Sequence, residues 1–244
     1  MHPLELLGTQ DLVAREVTLD ALREWGRANV ASYGGCSLIL HGSLARGDFW
    51  QGSDVDLIFD GGDETAKERL LAALRRDVPG TIFDAWRLDP PIATFNAKTT
   101  AQRKLPSPGQ FGLHGFDLVR HHVVLFGGNF LTPFVPTTGQ DLVEIAKDRI
   151  VKLNTPGETG HGDEPPKKAM EALKAAAMVL AVQGHHPPSR DKRRVLSTFL
   201  EGTAGTAIPR DTAIKAWSAY RYGTAPPPVD ELLRFVDAVA TAFR

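Results

Sequence analysis

Asp54 and Asp56 stand two residues apart in the run DVDLIFD (54–60). On a strand, residues i and i+2 project to the same face. Two carboxylates held side by side repel, and each raises the other's pKa unless a cation lies between them. Hard oxygen ligands suit Mg²⁺, which takes one or two protein carboxylates and fills its shell with water and phosphate. Upstream, Gly42-Ser43 follows the apolar run SLILH (37–41). Glycine lets a backbone approach a bulky anion. The Ser43 hydroxyl and nearby N–H groups can hold phosphate oxygens, especially where a helix begins. Arg46 could add a fixed cation for the same phosphates. A phosphate cradle beside a metal-binding carboxylate pair is what phosphoryl or nucleotidyl transfer needs. A third carboxylate is expected on the neighbouring strand, where Asp84 in TIFDAWRL (81–88) is the candidate. It would complete the metal site or take the proton from an attacking hydroxyl, a role worth about 10²–10⁴-fold.

These residues need two strands joined by a turn and a short helix. SLILH supplies the first strand, residues 54–60 the second, and TIFDAWRL a third that ends at Pro90-Pro91. A helix is expected over 18–31 with Thr18 as its N-cap, and another over 63–77 with Leu70, Leu71 and Leu74 as its buried stripe. Residues 116–128 read as a short helix begun by Asp117 as N-cap, then a strand and a Gly turn. After Pro136 strand signals stop. Helical periodicity takes over around 142–153, 166–183, 190–201, 209–221 and 229–243. The last carries a stripe of Val229, Leu232, Leu233, Val236, Val239, Ala240 and Phe243. Residues 155–166 read as a loop between helices. The fold class is therefore α/β (α+β): a small mixed-sheet domain over 1–135, followed by an all-α helical bundle over 136–244.

Composition narrows the rest. The 244 residues are 42% hydrophobic and 23% charged, ordinary for a globular chain. A formal net charge of -1 gives no global attraction to nucleic acid. Residues 1–136 are slightly acidic, with 13 Lys/Arg against 16 Asp/Glu, and residues 137–244 slightly basic, with 15 against 13. The single cysteine, Cys36, rules out an internal disulfide and reads as a small buried residue. The N-terminus lacks a secretory pattern and no apolar run reaches membrane-spanning length, so a cytoplasmic location is expected. The His pairs 121–122 and 185–186 lack zinc-site spacing. Trp25, Trp86 and Trp217 read as core, Trp50 as a loop aromatic that packs or meets substrate, and Asp89 as a turn residue before Pro90.

The segment Gly42, Ser43, Ala45-Arg46-Gly47, then Ser53-Asp54-Val55-Asp56-Leu57, resembles the signature of the polymerase-β-like nucleotidyltransferase superfamily. Later stretches resemble its aminoglycoside adenylyltransferase branch, which acts on streptomycin and spectinomycin. These are FDLVRHHVVLFGG, AMEALKAAAMVLAVQGHHPPSRDKRRVLSTFLEG, AIKAWSAYRYG and VDELLRFVDAVATAF. That resemblance implies ATP as co-substrate with one or two Mg²⁺ ions. It implies Asp84 as the base, where relatives often carry Glu. It also implies a triphosphate-binding cation after the helix–Gly turn: Lys192, with Arg190 and Arg193 as rivals. The acceptor it implies is a small molecule of the aminoglycoside or aminocyclitol class. Such polycations favour acidic surroundings, which the slightly basic helical half does not offer overall; Glu158, Asp163, Glu164 and Glu171 could supply acid locally. The alternatives are a protein- or tRNA-directed nucleotidyltransferase of toxin–antitoxin type and a non-catalytic nucleotide-binding module. The intact aspartates and Gly-Ser turn speak against the second.

Overall fold

The computed structural model describes residues 9–49, 54–61, 64–78, 87–89, 112–132, 137–155, 164–222 and 224–243. The first elements are α1 (Thr9–Asn29), a 3-10 turn (Val30–Tyr33), β1 (Gly35–His41), α2 (Gly42–Arg46), β2 (Asp54–Gly61), α3 (Glu64–Asp77) and β3 (Arg87–Asp89). Next come α4 (Gly112–Arg120) and β4 (Val123–Gly127). The remainder is helical: α5 (Gly139–Asn154), α6 (Pro165–Gln183), α7 (Lys192–Gly202), α8 (Arg210–Tyr222) and α9 (Val229–Phe243).

The strands form one mixed sheet in the order β3-β2-β1-β4. β1 runs antiparallel to β2 and β4, while β2 and β3 are parallel. Parallel neighbours need a long crossover, and α3 lies within the segment joining β2 to β3. β1 is central, and Leu38, Ile39 and Leu40 are all buried, so both faces of that strand are covered.

The described chain falls into two compact units. One is the sheet with α1, α2 and α3, and its core joins Leu22, Trp25, Leu38, Leu40, Phe59 and Leu74. The other is helical, with Leu173, Val179, Phe199, Trp217, Phe235 and Val239 in its core. Leu113 and Phe116, on the first part of α4, pack in this helical core. The chain rejoins the sheet unit at Asp117.

Several expectations are corrected. Thr18 lies in the middle of α1 and is 1% exposed, so it is no N-cap. The upstream residues Leu12, Ala14, Arg15 and Glu16 favour helix and carry it back to Thr9. Asp117 likewise sits inside its helix, five residues after Gly112. Cys36 is exposed. The β1–β2 register jumps from Gly35↔Gly61 to Ser37↔Asp60, which leaves Cys36 as the extra residue of a bulge. On α9, Val229 and Leu233 are 56% and 47% exposed, while Phe235 is fully buried. The buried positions 232, 235, 236, 239, 240 and 243 keep the i, i+3, i+4 spacing of one face. Leu233 is turned away from Leu232 by one residue step, and Val229 stands at the helix end. Trp25 and Trp217 are core residues as expected. Trp50, Asp84, Trp86 and most of the 155–166 loop lie outside the described residues.

Candidate active site

β1 delivers the chain to the site. His41 is extended, and Gly42 then turns with φ +72 to begin α2. A β-carbon on Gly42 would lie 1.8 Å from Oδ2 of Asp56. Only glycine tolerates both that backbone conformation and that closeness. The Gly-Ser turn and the Asp56 carboxylate are thus packed together, as the pairing of His41 with Asp56 across β1 and β2 requires. Ser43 follows, 8% exposed. Gly47 ends α2 in the left-handed conformation, φ +85. The Gly47 and Asp48 N–H groups both donate to the Ser43 carbonyl, at 2.9 and 3.1 Å.

Asp54 opens β2 opposite Arg87 of β3, and Asp56 stands opposite Asp89. The register therefore gives Asp89 the row next to the Asp54/Asp56 pair. Sequence reading passed over it as a turn residue, because Pro90 follows; the signal that could have found it is its place at the end of the β3 run. Among the described residues no group of three or more His, Cys, Asp or Glu side chains is arranged to hold a metal. Asp54 and Asp56 stand two residues apart on β2, and Asp89 shares the β2–β3 register with Asp56.

Arg46 is paired with two carboxylates. Its Nε donates to Asp48 Oδ1 at 3.0 Å, its Nη2 to Asp48 Oδ2 at 3.4 Å, and its Nη1 to Asp117 Oδ2. Asp48 and Asp117 are buried. Burial works to lower the guanidinium pKa, but Asp117 and Asp48 outweigh it and the net shift is upward. The arginine is held as the centre of a buried ion triad. Asp117 Oδ1 has no hydrogen-bond partner among the described residues.

Lys192 starts α7 and is buried, as is Arg190 two residues before it. The structure adds residues that sequence reading missed. Lys174, on α6, donates to Glu171 at 2.8 Å, and Arg190 lies 3.7 Å from the other oxygen of that carboxylate. The Lys174 and Lys192 ammonium groups stand 5.0 and 5.9 Å from the Tyr220 ring centroid, within cation–π range. Burial opposes the charge on Lys174, but Glu171 and Tyr220 prevail and its pKa is raised. Lys174 was hidden because it lies in an alanine-rich helix and reads as a solvated position. The side chain of Arg193 lies outside the described residues.

The small mixed sheet with its Gly-Ser turn and paired-aspartate strand, followed by a helical bundle, is a fold shared with a solved adenyltransferase. Among solved structures the chain is similar to spectinomycin adenyltransferase AAD(9) from Enterococcus faecialis, crystallised with ATP and spectinomycin. The match has a TM-score of 0.64 over 93% of this chain and 98% of that one, at 10% sequence identity. No protein-family model and no curated protein sequence matches the chain. Among the described residues no helix is long and apolar enough to cross a membrane.

Proposed function

We propose that this protein is a Mg²⁺-dependent nucleotidyltransferase that moves AMP from ATP to a hydroxyl of a small molecule of the aminocyclitol or aminoglycoside class. The observation that carries the reading is the packing of Gly42 against the Asp56 carboxylate. It brings a phosphate turn and a carboxylate strand together within a fold shared with an ATP-using adenyltransferase. The acceptor class is supported by that neighbour's bound spectinomycin.

In this reading Asp54 and Asp56 would hold one or two Mg²⁺ ions. Bound there, the metal would offset phosphate charge and steady the departing pyrophosphate. Gly42 admits the phosphates to the backbone N–H groups of the turn, and Ser43 donates its hydroxyl. Lys192, with Arg190 and Lys174 beside it, supplies cations suited to a triphosphate. Arg46, paired with two carboxylates, serves by shaping the turn. The acceptor oxygen attacks the α-phosphorus, the bond to the bridging oxygen breaks, and pyrophosphate leaves. The acceptor proton passes to a carboxylate of the β3 segment. Asp84 is the candidate from sequence; Asp89 is the candidate from register.

The test is mass spectrometry after incubation with ATP, Mg²⁺ and a pool of aminoglycosides and aminocyclitols, with Asp56→Asn as control. An adenylylated product formed only by the unaltered protein supports the reading and names the acceptor. Mg²⁺-dependent ATP binding without a product would remove the antibiotic acceptor and point to protein or tRNA. Absence of Mg²⁺-dependent ATP binding would refute the transferase itself. Comparing Asp84→Asn with Asp89→Asn in the same assay identifies the base, whose loss should cost about 10²–10⁴-fold in turnover.

A further inference from the structure

We propose that Arg15 and Asp117 are positioning residues that fix the Gly42-Ser43 turn against Asp56 while standing outside the site themselves. The proposal rests on the nucleotidyl-transfer reading above. α2 has five residues, far too few to hold a helical shape or a position alone. Its placement must come from contacts made by other elements, and these are specific. Arg15, on α1, donates from Nε to the Leu44 carbonyl and from Nη2 to the Ala45 carbonyl, each at 2.8 Å. These are C-terminal carbonyls of α2, which lack partners within so short a helix. A guanidinium there is both a hydrogen-bond cap and a favourable charge. The carbonyl of Ser43 is closed by Gly47 and Asp48.

The second hold comes through Arg46. Its guanidinium is pinned by Asp48 on the same loop and by Asp117 on α4, 71 residues away in sequence. With Gly42 set against Asp56 at one end and Arg15 on the carbonyls at the other, α2 cannot rotate or slide without breaking charged hydrogen bonds. A change in Arg15 or Asp117 should therefore reach the phosphates through Ser43. An error of about 1 Å at a reacting centre can cost on the order of 10²-fold.

The experiment compares Arg15→Met, Arg15→Lys and Asp117→Asn with the unaltered protein. It uses hydrogen exchange of residues 42–48 and steady-state kinetics with Mg²⁺–ATP. Phe235→Leu, in the helical core, serves as a variant that lowers stability without touching α2. Arg15→Met and Asp117→Asn should speed exchange in 42–48 about tenfold and lower kcat/KM for ATP by about tenfold or more. Arg15→Lys, which keeps the cation, should recover part of both. Phe235→Leu should leave both readouts near the starting values at temperatures where it is folded. If Arg15→Met does not fold, Arg15→Lys and Asp117→Asn decide the matter with the same readouts. Exchange and kcat/KM within twofold of the unaltered protein in the folded variants would overturn this proposal alone. An unaltered protein that binds no Mg²⁺–ATP would take down the transfer reading and this proposal together.

Discussion

Replacing Gly42 by alanine tests the site at its tightest point. The added β-carbon would lie 1.8 Å from Asp56 Oδ2 and 2.8 Å from its Cγ. Ordinary contact begins near 3.4 Å, so the carboxylate oxygen must retreat by about 1.6 Å, or the turn must open by as much. The backbone adds its own cost: φ is +72, and an L-residue held there loses roughly 1–2 kcal/mol. For a chain of this size that is a melting-temperature loss of about 2–8 °C. The functional loss should be larger. With Asp56 in the metal-holding role proposed above, moving its carboxylate by more than 1 Å is expected to lower turnover on the order of 10²-fold, or about 2.7 kcal/mol of barrier. The assay is pyrophosphate release with Mg²⁺–ATP and an acceptor, run at least 15 °C below the variant's melting point, with calorimetric titration of Mg²⁺–ATP beside it. A Gly42→Ala protein that binds Mg²⁺–ATP as tightly as the unaltered one and turns over within threefold would show that this turn is not the phosphate cradle.

Other consequences can be checked by stability alone. Arg46→Met should cost about 3–5 kcal/mol in denaturant unfolding, because Asp48 and Asp117 are left as buried charges without their cation. The double variant Arg46→Met/Asp117→Leu should cost less than the two single changes added together. Asp60 is buried, its Oδ1 has no hydrogen-bond partner among the described residues, and burial raises its pKa above 3.8. The folded state therefore prefers the protonated acid, and stability falls as pH rises from about 3.8 through the raised value. Asp60→Asn should accordingly melt higher than the parent at pH 7, and the gap should close as pH drops toward 3.8. Lys174 has the same sign of pH dependence on the basic side. Its pKa is raised, so its contribution is full below 10.5 and is lost as pH climbs through the folded value. Unfolding followed between pH 9 and 12 should show this loss, and Lys174→Met should flatten it.

The features legible in the sequence were those set by local chemistry. Strand–Gly-Ser–strand over 37–60 and the helices after Pro136 announce themselves by periodicity and turn residues, and each appears where expected. The misreadings arise where a distant contact outweighs a local signal. Gly112 and Gly115 argue against helix by propensity, but Leu113 and Phe116 are buried and Asp117 meets Arg46, so α4 begins there all the same. Thr18 resembles a cap, yet Ala21 three residues on offers no capping-box acid. For Arg46, expected from its spacing to Gly42 to be a phosphate cation, the structure adds a carboxylate partner. Its partner Asp117 is 71 positions downstream, beyond the reach of any local pattern. In the cluster of Glu171, Lys174, Arg190, Lys192 and Tyr220, sequence reading picked out Lys192, Arg190 and, as a local acid, Glu171, but not Lys174 or Tyr220, since the cluster is assembled from α6, α7, the residues just before α7, and α8.

The bulge at Cys36 has a practical spectroscopic consequence. The chain has one cysteine, it is exposed, and it belongs to the strand that ends at His41 and Gly42. A maleimide fluorophore or spin label would attach at one defined position without any engineered residue. Five residue steps separate that position from His41, about 17 Å along β1. A dye there stands clear of the Gly42-Ser43 turn and is fixed to the same strand, within energy-transfer range of a fluorescent ATP analogue bound at the proposed site. Nucleotide occupancy could then be followed optically in the unmutated chain before any acceptor is known.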